Sequence, residues 1–466
     1  MTTSKGGASL KLVLTVLFLG VLMGALDIAI VGPALPALRG WFEVDDRAGA
    51  WIFTIYVFMN LLGAPLMSKL SDRYGRRPAY MLAVGLFALG SAVAAAAPSF
   101  LVLLIGRALQ GIGAGGIFPV ASAVVGDSFP PERKGFALGM IGAVFGLAFI
   151  IGPILGALLL TISWHWIFLV NLPVAIVVVI LGWNVLPATG ASKPLPFDVL
   201  GMITLALLLG GLTVGASNLD AKNLLDSLAT PLVWPFLLMA VAATPAFWWA
   251  EGRAADPLIR RTLISTRQLG LANGLSIGAG LGEGVIVFLP SLAVVAYGVS
   301  VSTASYMTLP VVLAMAVGSP LAGRMLDKVG PRLVIIVGTL LLTAGLLLLG
   351  LLGAQLWAFY AASILIGLGL ASLLGAPIRY IMLNDAPPED RTAAQGAVTV
   401  FTGVGQLLSG ALVGAVAASG GGGVSGYTLA YLVSGVACFL LLFLALGLRS
   451  RTADEVPVAR ATAATH

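Results

Sequence analysis

Apolar runs as long as a bilayer-spanning helix, on the order of 20 residues, recur along the whole chain, separated by short charged or Pro/Gly-rich breaks. Reading them in turn predicts helices near 11–34, 50–68, 78–97, 100–126, 135–160 and 164–186. Two more follow at 198–217 and 230–250, then a second set at 269–297, 301–322, 331–350, 355–383, 393–418 and 427–447. The pattern predicts an all-α integral membrane protein with fourteen transmembrane helices.

The polar breaks sort by charge. If the N-terminus lies inside, the interior loops hold Lys69, Arg73, Arg76, Arg77, Arg133, Lys134, Lys193, Arg253, Arg260, Arg261, Arg267, Arg324, Lys328 and Arg332, whereas the exterior loops hold Arg39, Arg47 and Lys222. The positive-inside rule then places both termini in the cytoplasm, as an even number of spans requires. The first span, after Lys5 and Lys11, is too long for a signal-peptide core and contains Asp27, so it reads as a mature helix. Residues 449–466 read as a disordered cytoplasmic tail.

Composition agrees and narrows the function. Hydrophobic residues make up 59% of the chain and charged ones 9%, against about 25% charged in soluble domains, so the expected location is the plasma (inner) membrane. Cys438 is the only cysteine, and His165 and His466 are the only histidines, so neither an internal disulfide nor a Cys/His zinc site is expected. No motif for nucleophilic catalysis is present, and an enzyme is not expected. The +6 net charge is dispersed among loops rather than gathered in one stripe, which argues against nucleic acid as a partner.

An internal repeat organises the chain. The loop SKLSDRYGRR, Ser68 to Arg77, and the loop GRMLDKVGPR, Gly323 to Arg332, share the pattern small-x-x-x-Asp-basic-x-Gly-x-Arg, with Asp72 and Asp327 set 255 positions apart. Nearly the same offset relates spans one and nine, and spans four and twelve, so the chain divides into two six-helix halves. The expected domains are residues 1–190, an inserted pair of helices with a cytoplasmic linker at 191–265, residues 266–448, and the tail.

Several motifs resemble those of the major facilitator superfamily, and specifically its fourteen-helix drug:proton antiporter branch. The Asp72 loop is similar to the superfamily's motif A, with Ser68 in place of the first Gly. LIGRALQGIGAG, Leu104 to Gly115, resembles motif B, with Arg107, Gln110 and Gly111 in register. Gly139, Ala148, Gly152, Pro153, Gly156 and Ala157 fall at the spacing of the antiporter motif C, with Ala148 and Ala157 replacing glycines. LDIAIVGPALP, Leu26 to Pro36, looks like the branch's first-helix motif with Ala29 and Gly32 substituted, and WHWIFLVNLP, Trp164 to Pro173, carries His165 in place of an Arg. The resemblance implies a major facilitator fold of two six-helix bundles plus two inserted helices.

It also implies roles. Asp72, with Arg73, Gly75, Arg76 and Arg77, would latch the interior gate by setting a carboxylate against a neighbouring helix N-terminus; Asp327, Lys328 and Gly330 would form the second latch. Solvated topology charges are the alternative. The small residues of motif C, with Pro153, would let helices approach closely and bend one of them.

Ionisable groups in hydrocarbon cost about 2.5–3.5 kcal/mol on insertion scales and are functional candidates. Asp27 and Arg107 each lie about seven residues from the outer ends of their helices, roughly 10 Å below the surface, and can meet, either as a proton-exchanging group with its modulator or as a static pair. Glu283 sits sixteen residues after Arg267, as Asp27 does after Lys11. Its neighbours Gly280, Gly282 and Gly284 suggest a soft or interrupted helix. No arginine stands opposite it, because the position equivalent to Arg107 is Ala362. Asn60, Gln110, Asn273, Phe288 and Gln406 are candidate cavity residues. Span thirteen carries Gln395 and Gln406 but no acid after Asp390; some polyvalent-cation exporters of the branch it resembles carry acids there, so the resemblance implies cargo other than dications.

These features predict a proton-coupled antiporter, monomeric and without a cofactor, that exports lipophilic small molecules by alternating access. A lipid or glycolipid exporter of the same fold is the main alternative.

Overall fold

The computed structural model describes residues 10–44, 46–188, 198–219, 224–419 and 423–449. Lys5, Lys193, Lys222 and the expected tail beyond 449 lie outside the described residues. Among the described residues all regular elements are helices. They are α1 (Leu10–Phe42), α2 (Asp46–Tyr74), α3 (Arg76–Ala95), α4 (Phe100–Ser128), α5 (Pro131–Leu160), α6 (His165–Leu169), α7 (Asn171–Val185), α8 (Val199–Ser217), α9 (Leu224–Leu228) and α10 (Trp234–Glu251). After these come α11 (Thr262–Ser265), α12 (Arg267–Ile286), α13 (Leu289–Tyr297), α14 (Val301–Met307), α15 (Leu309–Val329), α16 (Pro331–Leu352), α17 (Leu356–Leu374), α18 (Pro377–Asp385), α19 (Arg391–Ser419) and α20 (Val424–Leu446).

Twelve stretches among the described residues are helical, long and apolar enough to cross a membrane, two fewer than the fourteen expected. The other two predicted runs do form helices, α10 and α19. Helix α10 includes Pro235, Pro245, Thr244, three tryptophans and Glu251. Helix α19 carries Thr392, Gln395, Thr399, Thr402, Gln406 and Ser409, because it lies inside the molecule, packed against α2, α4 and α12.

Four predicted spans are interrupted helices. The run 164–186 is α6 and α7, 269–297 is α12 and α13, 301–322 lies in α14 and α15, and 355–383 is α17 and α18. Proline in the first turn restarts α13, α15 and α18, at Pro290, Pro310 and Pro377. A missing N–H costs nothing there, and hydrophobicity alone does not report it. The interruption expected around Glu283 lies instead at Val287–Phe288. The glycines beside Glu283 admit neighbours: Gly280 meets the Thr402 backbone, Gly282 meets Leu342 and Gly284 meets Ser409.

Helices α1–α7 form one half and α12–α20 the other. Helix α8 pairs with α10 and also touches α2 and α19 at the seam. Large apolar side chains point outward, among them Leu101, Ile105, Ile154, Ile180, Val241, Leu351 and Phe443, an arrangement suited to hydrocarbon rather than water. Exposed Trp41, Trp166, Trp234 and Trp357 mark one rim, and Trp183 and Trp249 the other, as interfacial aromatics do.

The two repeat loops adopt the same turn. Gly75 between α2 and α3 has φ 97° and Gly330 between α15 and α16 has φ 83°, a region that a Cβ strains by about 1–3 kcal/mol. Gly75→Ala and Gly330→Ala are each expected to lower the thermal unfolding temperature of the purified protein. Gly85→Ala, at an open helical position, should leave it nearly unchanged; equal behaviour of all three would contradict the turn geometry.

Candidate functional site

In the first half, five helices converge on one carboxylate. Asp27 on α1 is fully buried. Its Oδ2 accepts from Arg107 Nη1 of α4 at 2.5 Å, and its Oδ1 accepts from Gln110 Nε2 at 2.9 Å and from Asn171 Nδ2 of α7 at 3.1 Å. Gln110 and Asn171 also donate to Ser91 Oγ of α3, at 2.7 and 3.3 Å. Arg107 donates through Nε to the Ile52 carbonyl of α2 at 3.0 Å, and its guanidinium lies 4.2 Å from the centre of the Tyr56 ring. Asp27 and Arg107 therefore meet, as their depths predicted. Gln110, expected to line a cavity, is instead a fully buried member of this network. Asn171 and Ser91 escaped the sequence reading, although Asn171 stands within the WHWIFLVNLP run.

The second half is built differently. Glu283 on α12 is half-buried; it faces Gln406 of α19 and lies within electrostatic range of Arg379. That guanidinium corrects the expectation that Glu283 has no basic neighbour. The offset comparison tested one position, Ala362, whereas Arg379 lies further along the same span, on the first turn of α18 after the break at Gly375–Ala376. Arg379 is 6% exposed and is held by neutral groups at long distances. Nη1 donates to the Gln395 carbonyl at 3.5 Å and to Gln395 Oε1 at 3.3 Å, and Nη2 donates to Thr399 Oγ1 at 3.5 Å. Its Nε has no partner. The guanidinium stacks 4.0 Å from the centre of the Phe118 ring on α4, in the other half. The helix breaker Gly375-Ala376-Pro377 just ahead of it was the available signal.

The remaining candidate cavity residues do not gather in one place. Asn273 is buried and donates to the Leu263 carbonyl at 2.8 Å, tying α12 to α11. Asn60 packs on α4 beside Gly111 and Gly115. Phe288 occupies the break between α12 and α13.

Both repeat carboxylates grip a helix start in the opposite half. Asp72 accepts from the Thr392 and Ala393 N–H groups of α19 at 3.3 and 2.9 Å, and pairs with Arg76. Asp327 accepts from Gly135 and Phe136 N–H of α5 at 2.8 and 2.9 Å; a Cβ at Gly135 would lie 2.5 Å from Asp327 Oδ1. Arg76 also donates to Asp127 at 2.9 Å, and Arg391 donates to Asp127 at 2.7 Å. Lys69 pairs with Asp256 in the segment after α10. Arg77 donates to the Trp183 carbonyl at 3.0 Å and so ties α3 to α7. Arg73 stacks on Tyr74, and Lys328 is exposed. Asp127 and Asp256 were not singled out from sequence, because acids near loops look like ordinary solvated charges.

Helix α5 carries the small residues predicted to admit neighbours. Gly139 lies against Ser319 and Gly323 of α15, Gly152 against Ala29 and Gly156 against Ile30 of α1, and Ala148 is fully buried. The span holding Pro153 is one continuous helix.

Comparison with known proteins fixes the family. The Major Facilitator Superfamily model matches twice, over residues 17–278 and 269–465. The chain belongs to that superfamily. It is 30% identical over 428 residues to multidrug resistance protein 3 of Bacillus subtilis, covering 89% of this chain and 81% of that one. It is 29% identical over 425 residues to a triacylglyceride transporter of Mycolicibacterium smegmatis, covering 85% and 74%. The solved structure of the human organic anion transporter MFSD10 superposes with a TM-score of 0.68 at 21% identity, covering 93% of this chain and 99% of that one, a likeness of fold alone. The protein is a multi-pass membrane transporter and not an enzyme.

Removing one member of a buried ion pair costs about 3–5 kcal/mol, and replacing both costs far less. Arg107→Met is accordingly expected to lower the unfolding temperature more than the double variant Arg107→Met/Asp27→Asn; the reverse order would show that charge compensation is not what Arg107 supplies. At the latched end, Ser71 is fully buried. A maleimide should label a cysteine introduced by Ser71→Cys, in a Cys438→Ser background, several times faster once Asp72→Asn is added. Unchanged labelling would mean that this carboxylate does not hold the end closed.

Proposed function

We propose that the protein is a proton-coupled antiporter that exports lipophilic small molecules from the cytoplasm by alternating access. The observation that carries the reading is the doubled latch: two repeat-related carboxylates each hold the start of a helix in the opposite half, at the same end of the molecule. A bond of this kind, made on both sides of a pseudo-symmetric seam, closes one entrance and must break when the halves rock the other way. The small-residue row of α5 supports the same motion, since it packs against α15 across the seam and α1 within its own half.

In this reading the protein lies in the plasma membrane with both termini and both latches in the cytoplasm, as the distribution of Lys and Arg requires. It crosses the membrane fourteen times. Helices α10 and α19 complete the count, the first as the partner of α8 and the second as an interior helix whose polar residues face protein rather than lipid. Asp27 and Glu283 take up and release protons, and Arg107 tunes Asp27. Asp72, Asp327 and the basic residues and glycines of their loops act as gates. The protein works as a monomer, and protons rather than a cofactor supply the energy: one charge moving through 100 mV contributes about 2.3 kcal/mol. The similarity to a protein named as a triacylglyceride transporter favours, as a second reading, lipid cargo carried by the same machinery.

Reconstituted proteoliposomes test both. An imposed pH gradient is expected to drive ethidium accumulation by the wild-type protein, with Asp27→Asn and Glu283→Gln each reducing it at least about tenfold. Full gradient-driven accumulation by both variants would end the proton-coupling reading. Movement of a fluorescent triacylglycerol, with ethidium left behind, would select the lipid reading.

A further inference from the structure

Among the described residues three arginines are buried, Arg76, Arg107 and Arg379; the first two are paired with carboxylates, and the third is treated differently. Arg107 has a carboxylate at 2.5 Å, a glutamine oxygen at 2.9 Å and a backbone carbonyl at 3.0 Å. Arg379 has no carboxylate in hydrogen-bond contact; its three contacts are to neutral oxygens at 3.3–3.5 Å, longer than an unstrained N–H···O bond, and its Nε is unpaired. A guanidinium placed in hydrocarbon and left this poorly compensated is costly to keep unless it meets an anion at some stage.

Its position suits such a meeting. Arg379 stands on the first turn of α18, the second piece of a discontinuous helix, where the start of a half-helix favours negative charge. Gln395 fixes the side chain from two directions, because it accepts from the guanidinium through Oε1 and donates through Nε2 to the Arg379 carbonyl at 3.0 Å. The face of the guanidinium is covered by Phe118, which belongs to the opposite half and packs edge-on against Phe145 at 5.3 Å. When the halves move apart, that cover leaves with its own half. Glu283 lies within electrostatic range but makes no direct bond, so it biases the site without filling it.

We infer that Arg379 anchors an anionic head group, a carboxylate or phosphate, on an amphiphilic cargo. The inference rests on the export reading above and adds that, among lipophilic cargo, anions are the preferred class. The cargo's charge replaces the loose neutral contacts of the guanidinium with charge-assisted ones, while its apolar part lies among the aromatic and aliphatic side chains around Phe118.

The test compares a dansyl-labelled undecanoic acid with its methyl ester and the corresponding primary amine. Binding is measured by fluorescence in nanodiscs and movement in proteoliposomes. A second arm sets fluorescent phosphatidic acid against fluorescent diacylglycerol, to separate lipid head groups from free organic anions. Wild type is expected to bind the acid, the phosphatidic acid or both roughly tenfold to a hundredfold more tightly than the neutral analogue, the range for a hydrogen bond to a charged group. Arg379→Gln should erase that preference, Arg379→Lys should retain part of it, and Glu283→Gln should tighten anion binding by removing a competing carboxylate.

Equal binding of charged and neutral analogues by wild type overturns the proposal, with no variant needed. It also falls if Arg379→Gln keeps the preference, or if Glu283→Gln removes it as fully as Arg379→Gln does. Anion binding without movement would leave the anion site standing and end the export reading. Movement of ester and amine without preference for the acid would do the opposite.

Discussion

The start of α19 is where the two halves are tied, and the tie is a carboxylate set on free backbone N–H groups. A helix leaves its first N–H groups unpaired and carries a partial positive charge there; Asp72 answers both with one side chain. The carboxylate is itself compensated by Arg76, Arg76 by Asp127, and Asp127 by Arg391 at the head of the same helix. Charges of alternating sign thus form a chain from one half to the other with no member left alone. Such a contact is strong while it is dry and becomes cheap to replace once water enters, because water solvates an exposed carboxylate and an exposed helix start equally well. A gate needs that combination, and an apolar seam of similar size lacks it.

From that point α19 runs inward as a polar strip. Thr392, Gln395, Thr399 and Gln406 recur at spacings of three, four and seven, which places them on one helical face. The first touches Arg76 and Ser71, the next two hold Arg379, and the last faces Glu283. The opposite need, close approach to α12, is met by glycine: Gly405 lies against the Ile277 carbonyl, and Gly280 against that of Thr402. Asp72, Arg379 and Glu283 are thereby all joined to one continuous helix, the element through which, in the proposed function, a displacement at one would reach the others.

What the sequence made legible follows the same division. The apolar runs located helices well because lipid leaves a chain little choice, and the loop repeat located both Asp72 and Asp327 because a φ-positive glycine, an acid and basic residues are needed together there. The meeting of Asp27 and Arg107 was legible from depth. Hidden from the sequence were the partners that carry no charge, Ser91 and Asn171, which look like ordinary residues of an apolar span until five helices bring them to one point. Hydropathy is continuous across the breaks at Gly375 and Val287 and does not report them, although Gly375-Ala376-Pro377 signals the first. Arg379, just past the first, reads as one more basic residue near the end of a span until the backbone shows it opening a helix of its own.

The contrast between the two halves follows from how their acids are solvated. Asp27 and Glu283 occupy equivalent places in the repeat, but Asp27 receives three hydrogen bonds from two helices, one of them from a guanidinium, whereas Glu283 is half-buried beside a glutamine, with its arginine out of bonding range. Asp27 and Arg107 compensate each other within a closed, buried set of hydrogen bonds, so removing either partner strands the other. No comparable set of bonds is committed around Glu283, because the Gln406 amide can turn either its oxygen or its nitrogen toward it. Asp27 thus ties the helices of the first half together, whereas the surroundings of Glu283 in the second half are looser.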